Sequence, residues 1–328
     1  MKAFRFEKPR AGLSLRHIPI PKPGPNQVLI QVKAAGLCHS DCHLPKGDGL
    51  VTTPITLGHE VSGIVASAGS EVRGLQPGDR VAIGLRSHPF ESQEWTSAPG
   101  LGCDGGYAEY ALASAAHLER IPQNVSYAQA AVATDAMATA YHAVVIEAGV
   151  RPGMTVCIIG IGGLGMSGLV FAVLLGADVY AVDVVPTKLK EAVRLGAHEC
   201  FENLYEARGV EFDVIIDFAG TGQTTSMAVE KTRKGGKVVV VGLAASSITV
   251  SVTALVTRSI SIIGSFGASQ DDLRAVFKLL ADGKVPLELC EIDFADVPAG
   301  LDALNNGCVS GRLWTDPSKA RRNEMAKV

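Results

Sequence analysis

Residues 36–43 read GLCHSDCH and residues 57–60 read LGHE, and these two stretches gather side chains able to hold a metal ion. Cysteine thiolate, histidine imidazole and carboxylate are the soft and borderline donors that zinc accepts. Cys38 and His59 are the leading ligand candidates, with Glu60 directly beside the histidine. Cys38 and Cys42 are four apart, so a small closed site that uses His39 or His43 is the alternative arrangement. Taken singly, each of these side chains reads as an ordinary buried or surface residue. Their weight comes from occurring together with a second motif.

That motif is Gly160-Ile161-Gly162-Gly163-Leu164-Gly165, a GxGxxG turn. An apolar β run, MTVCII, precedes it, an apolar helix over 164–175 follows, and Asp183 ends the next strand 18 residues after Gly165. In a dinucleotide-binding unit the glycines allow the tight turn and let the backbone approach a pyrophosphate. The helix N-terminus then meets the phosphates with unpaired N–H groups. The acidic residue accepts from the adenosine ribose. A carboxylate at Asp183 repels a 2′-phosphate, and Val184 and Val185 supply no compensating arginine, so NAD is predicted over NADP. The alternative is a plain βαβ turn with a chance aspartate.

These residues sit on two kinds of scaffold. Up to about residue 147 the chain is rich in strands and turns: QVLIQVKAAG alternates like a half-buried strand, and EVSGIVASAG and GDRVAIG are shorter strands cut by glycines. From Pro152 strands (MTVCII, VYAVD, FDVIIDF, KVVVVG, 261–263) alternate with helices (164–175, 187–195, 271–280), which predicts a parallel sheet wrapped on both faces. The expected division is therefore 1–147 for the β-rich domain, 148–285 for the nucleotide-binding domain, and 286–328 returning to the first domain and ending in a polar tail. The fold class is α/β.

Composition excludes several function classes. A net charge of −3 and the lack of a basic run with interleaved aromatics argue against nucleic acid as a partner. No apolar run approaches the roughly 20 residues that span a bilayer. The opening MKAFRFEKP lacks the roughly 7–15-residue apolar core of a secretory peptide. Seven cysteines, an odd number without framework spacing, fit a reducing compartment, and the cytoplasm is the expected location.

With these motifs in hand, the sequence resembles the zinc-containing, medium-chain alcohol dehydrogenase family. The resemblance covers nearly the whole chain and rests on GxCHSDxH, GHE, GDRV, GGYAEY, GIGGLG, VDVVPTKLKEAVRLGA and GKVP, in that order. It implies a GroES-like catalytic domain built from both ends of the chain, an inserted Rossmann domain, and an active site in the cleft between them. By this resemblance Cys38 and His59 are catalytic zinc ligands, Glu60 is a neighbour able to ligate transiently, and Asp41 orients His59 by hydrogen bonding. Ser40 contacts the substrate oxygen, and His43 passes its proton toward solvent through the cofactor ribose. Thr139 touches the nicotinamide amide, Lys188 the adenosine ribose, Arg312 the pyrophosphate, and His39 lies near the cofactor phosphates.

Most of the family has a cysteine as third ligand, just upstream of that threonine. Here the stretch reads AQAAVATDAMATAYHAV, and Asp135 occupies the slot, four residues before Thr139. The alternative makes Thr134 or Asp135 the N-cap of a helix over 136–148. Its Ala, Val and Met flanks place Asp135 in apolar surroundings, where an unpaired carboxylate is costly and a cation compensates it.

The implied chemistry is coherent on its own terms. Hydride leaves an alkoxide far more readily than a neutral alcohol. A zinc ion with an open position lowers the pKa of bound water to roughly 7 and acts on an alcohol in the same sense. Ser40 and His43 would then carry the proton out, although Ser40 also suits the cap of a helix starting near Asp41. Small-molecule alcohols, ketones and aldehydes are the expected substrates. Leu85, Leu44, Pro45 and Leu50 align with the family's pocket, and none is a large aromatic, which suggests room for a secondary, branched or cyclic alcohol.

The chain departs from many relatives in one respect. Between Asp79 and Gly105 it has only Cys103, and one thiolate cannot build a four-ligand structural site, so one catalytic zinc per chain and no structural zinc is expected. Two rival functions remain: a zinc-free NAD(P)H reductase of activated C=C bonds on the same fold, and a catalytically silent NAD-binding protein. Finally, SITVSVTALVTRSISIIG is rich in β-formers, where the family pairs sheet edges across a twofold axis, and a homodimer or homotetramer is expected.

Overall fold

Strand Gln27–Gly36, whose side chains alternate in the sequence, is the hub of a seven-stranded sheet in the computed structural model. The structure describes residues 1–8, 11–43, 53–85, 87–93, 95–309 and 311–321. The sheet runs in the order Leu289–Ile292, Arg312–Thr315, Gln27–Gly36, Glu60–Ala68, Arg80–Ile83, Leu118–Arg120, and Tyr110–Ser114 also pairs with Gln27–Gly36. A small antiparallel sheet of Leu13–His17, Lys2–Phe6 and Ile55–Thr56 accompanies it. Val28, Ile30, Val32, Leu57, Val61 and Tyr107 are fully buried in the shared core. The two ends of the sequence meet in this sheet, with Trp314 opposite Gly36.

Helix Gln270–Ala281 belongs to the same unit. Arg274 pairs with Glu119 at 2.5 Å, and Gln270 Nε2 donates to Ala116 O at 2.6 Å. The unit therefore comprises Met1–Ala136, Ala268–Gly283 and Glu288–Val328. The expected division at 285 assigns this helix to the nucleotide-binding domain, while its partners Glu119 and Ala116 lie in the first unit. A helix of α/β periodicity gives no sign of which sheet its polar face will be tied to.

The second unit, Met137–Gly267 with Lys284–Leu287, holds six parallel strands. Their order is Glu199–Phe201, Asp178–Val182, Thr155–Ile159, Phe212–Asp217, Thr232–Val240, Ser261–Gly264, which is 3-2-1-4-5-6 in Rossmann terms. The central strands are continuous apolar runs because both faces are covered: Val156, Cys157, Ile158 and Ile159 are all buried. Helices Gly163–Leu174 and Pro186–Arg194 begin within one residue of expectation, the second with its proline in the first turn.

One expected boundary is wrong. Helical turns begin at Tyr127, not at residue 136. Ser126 caps them reciprocally with Gln129, a capping box legible in the sequence as S-x-x-Q. Asp135 is therefore not the N-cap of this helical run. It lies within a widened π-type turn, Ala133–Met137, and Thr134 Oγ1 donates back to Ala131 O at 2.7 Å.

Candidate active site

The register of the large sheet does the first part of the work. Gly36 pairs with Glu60 across adjacent strands, so the loop carrying Cys38 and the residue His59 come out at the same sheet end. Asp135 is added by the π-type turn, a feature that often marks functional sites because it re-aims side chains from an otherwise regular helix. The three donor atoms of Cys38, His59 and Asp135 lie within 4.8 Å of one another, the one such group among the described residues. Asp135 Oδ2 stands 3.2 Å from His59 Nε2 and 3.4 Å from Cys38 Sγ. A tetrahedral zinc about 2.3 Å from sulfur and about 2.0–2.2 Å from nitrogen and oxygen keeps its ligands roughly 3.3–3.6 Å apart. The spacing thus fits zinc, and thiolate, imidazole and carboxylate together balance its charge. Thiol and imidazole are both buried, and Asp135 is half-buried.

Asp41 stands behind His59. Its Oδ1 lies 3.3 Å from His59 Nδ1, out of hydrogen-bond alignment, and both atoms are buried without a hydrogen-bond partner. Burial alone would lower the imidazole pKa. Asp41, Cys38 and Asp135 outweigh it and hold the metal-free ring well above its ordinary value. A cation on Nε2 would take the place of that proton. Tyr107 Oη donates to Asp41 Oδ2 at 2.6 Å. Burial, reinforced by Asp41, pushes this phenol well above its usual range, so it remains a donor. Sequence reasoning quoted GGYAEY without giving this tyrosine a task.

Glu60 and Arg312 are partners of each other. Arg312 is buried, and its guanidinium grips Glu60 through Nη2 to Oε1 at 2.6 Å and Nε to Oε2 at 3.2 Å. Glu60 Oε1 also accepts the Ala136 N–H at 3.0 Å, beside Asp135. Gly36 leaves room for this carboxylate, since a Cβ there would lie 1.9 Å from Glu60 Oε2. The expected transient ligand and the expected pyrophosphate contact are thus paired with each other. Glu60 stands outside the ligand group. Burial raises the Glu60 pKa, and Arg312 opposes that rise.

In the second unit the glycine turn separates structural needs from others. A Cβ at Gly165 would lie 1.8 Å from Gly160 O, and Gly160 itself has φ +84° and Ala219 against it. Gly162 is different: a Cβ there would meet nothing within 4 Å. The fold alone does not demand that glycine, whereas a phosphate approaching the uncapped N-terminus of helix Gly163–Leu174 would. Gly163 and Leu164 open that helix. Asp183 is buried, accepting from Ile161 N at 2.7 Å and Val185 N at 2.9 Å, with Lys188 Nζ 4.0 Å away.

The remaining expected residues are placed as follows. Ser40 Oγ lies 3.7 Å from Cys38 Sγ, and Ser40 and His39 are both exposed. His43 ends the short helix Ser40–His43, and its side chain lies outside the described residues, as do Leu44, Pro45 and Leu50. Leu85 is half-buried and Thr139 is buried within the second unit.

The chain is similar to known proteins along most of its length. Residues 24–123 match the family model of the alcohol dehydrogenase GroES-like domain, and residues 163–282 that of the zinc-binding dehydrogenase domain. An alcohol dehydrogenase of Geobacillus stearothermophilus is 32% identical, with 95% of this chain and 98% of that protein covered. The chain belongs to the zinc-containing, medium-chain alcohol dehydrogenase family. Another member, an NAD-dependent alcohol dehydrogenase of Sulfurisphaera tokodaii, is also 32% identical over 95% of this chain and 99% of its own. Among solved structures, acetophenone reductase from Geotrichum candidum in complex with NAD superposes with a TM-score of 0.88 at 30% identity, covering 96% of each chain.

Proposed function

We propose that this family member is a zinc-dependent alcohol dehydrogenase that passes a hydride between an alcohol or carbonyl compound and NAD(H). The observation that carries the reading is the Cys38–His59–Asp135 group, spaced as zinc ligands are, in a chain that also has an open phosphate turn at Gly162. When bound, zinc supplies Lewis-acid polarisation of the substrate oxygen, and NAD supplies the hydride acceptor. Cys38, His59 and Asp135 hold the metal, and Asp41 fixes the ring of His59. Ser40 borders the ligand group and takes the substrate's proton, which His43 relays outward. Gly160, Gly162, Gly163, Leu164 and Gly165 cradle the pyrophosphate, Asp183 and Lys188 take the adenosine ribose, and Thr139 takes the nicotinamide amide. His39 lies toward the cofactor phosphates and Arg312, while paired with Glu60, toward the pyrophosphate.

Several finer points belong to the same reading. One zinc per chain is proposed, because Cys103 has no companion cysteine between Asp79 and Gly105. NAD is proposed over NADP on the carboxylate of Asp183. The named activity of the Geotrichum relative favours secondary alcohols and their ketones as the substrate class. A dimer or tetramer is proposed from the Rossmann edge strand Ser261–Gly264, which among the described residues pairs only with Thr232–Val240 and follows exposed Leu243, Val252 and Val256. No described helix is long and apolar enough to cross a membrane. The cytoplasm is the proposed location, on the strength of free thiols such as Cys38 and Cys103.

The deciding experiment is NAD(H)-coupled turnover across a panel of alcohols and ketones, with and without a strong chelator. Turnover of secondary alcohols that disappears with chelator and returns with Zn²⁺ is expected. Turnover that survives chelation would point to the zinc-free reductase, and none under any condition to a silent NAD-binding protein.

A further inference from the structure

Tyr107 lies at the back of the ligand group with no part in the reaction as described. We infer that it is a positioning residue for the metal centre, acting through Asp41; the inference rests on the zinc reading above. The phenol is fully buried and has two acceptors within reach: Asp41 Oδ2 at 2.6 Å and Gly36 O at 3.3 Å. The short distance to the carboxylate marks a charge-assisted bond, so Asp41 is the partner that counts. The same Oδ2 accepts the Cys38 N–H at 3.3 Å, and the other oxygen of Asp41 faces His59 Nδ1 at 3.3 Å. One carboxylate thus touches the backbone of one metal ligand and the ring of another, and the tyrosine fixes how that carboxylate is turned.

The tyrosine is itself held hard in place. Its N–H donates to Leu57 O at 3.0 Å, and its carbonyl accepts from Phe4 N at 2.8 Å. Its ring lies on Gly58, where φ is +92° and a Cβ would stand 2.7 Å from the nearest ring carbon. The residue before ligand His59 is therefore a glycine partly so that this ring can lie there. A ring needed only for packing would not require its hydroxyl to be aimed at a carboxylate that meets two ligands. Outer groups of this kind set the orientation and basicity of metal-bound histidine, and their loss typically costs 10–100-fold in metal affinity.

The test is Tyr107→Phe, which keeps the ring and removes the hydroxyl. Metal-free full-length protein is titrated with Co²⁺ against a competing chelator, and the cobalt d–d and thiolate charge-transfer bands are recorded. The expected result is binding about 10-fold weaker than wild type, with shifted bands, while NADH binding is unchanged. In an Asp41→Ala background the same substitution should add almost nothing. Wild-type affinity and wild-type bands in Tyr107→Phe would overturn the inference, whatever its melting temperature. If wild type itself binds no Co²⁺, the zinc reading fails and takes this one with it. Should Tyr107→Phe not fold, 3-fluorotyrosine at position 107 retains ring and hydroxyl but changes the donor strength. A shifted Co²⁺ isotherm is then expected, and an unshifted one overturns the inference.

Discussion

Replacing Asp135 by alanine should affect the zinc-loaded protein and the metal-free protein very differently. In the metal-free protein the carboxylate lies 3.2 Å from His59 Nε2, 3.4 Å from the Cys38 sulfur and 3.9 Å from Arg312, whose main partner is Glu60. Removing it leaves the Arg312–Glu60 pair whole but takes a partner from buried His59, so metal-free stability should fall by about 1–3 kcal/mol. In the loaded protein a ligand is lost. Zinc sites bind with about 10–16 kcal/mol shared among four ligands, which puts one ligand at roughly 3–4 kcal/mol, or about 10²–10³-fold in affinity. At a free zinc concentration 100 times the wild-type Kd, wild type gains about 2.7 kcal/mol of stability, whereas the variant sits at or below its own Kd and gains at most about 0.4 kcal/mol. Thermal melts with and without zinc, and elemental analysis after dialysis, read this directly. NADH binding should persist, because the glycine turn belongs to the other unit. Full zinc content with near-normal kcat would refute Asp135 as a ligand and make Glu60 the next candidate.

Three further outcomes are expected. Gly162→Ala should fold as wild type does, since its Cβ meets nothing within 4 Å, but should raise the KM for NAD by about 10-fold or more; an unchanged KM would mean that no phosphate approaches there. Glu60→Gln leaves the buried Arg312 without its main counter-charge and should cost about 3 kcal/mol, the low end for a broken buried pair because Asp135 is 3.9 Å away, with zinc content as in wild type; zinc lost together with stability would make Glu60 a ligand. Cys103, pushed up to about 11 by burial and then by Asp104, should be alkylated by iodoacetamide at a rate rising about tenfold per pH unit from 8 to 10; a plateau near pH 9, seen by mass spectrometry, would contradict that environment.

Much of this architecture is legible in local pattern. Two Rossmann helices, Gly163–Leu174 and Pro186–Arg194, are legible to within a residue because strand, glycine turn, helix and acidic residue follow each other at short range, whereas Gln223–Lys231 and Val252–Arg258 are not. Cys38 and His59 stand out by type and context, and Asp135 by the family's ligand slot four residues before Thr139. What local pattern does not carry is the choice of partner over long distance. Arg312 reads as a free cation until its strand is laid beside Gln27–Gly36, and only then is Glu60, 252 residues away, its neighbour. The π-type turn at Ala133–Met137 is equally hidden, because Ala136 N–H is taken by a carboxylate from another strand. The true helix start was within reach, since Ser126 and Gln129 spell a capping box. Periodicity in an alanine-rich run was a weaker guide than that pair.

The separation of Glu60 from Arg312 also has a consequence for how the protein is made. At ribosomal rates of about 5–20 residues per second, the 252 residues between them take roughly 13–50 s to synthesise. Throughout that interval a nascent chain already carries Cys38, His59 and Glu60, and for the later part Asp135 as well, while the guanidinium that will neutralise Glu60 has not been made. Burying Glu60 without a counter-charge would be unfavourable, so the large sheet is expected to close only after the intervening Rossmann segment has been made. The strand Arg312–Thr315 then closes the sheet and brings the balancing charge in the same step.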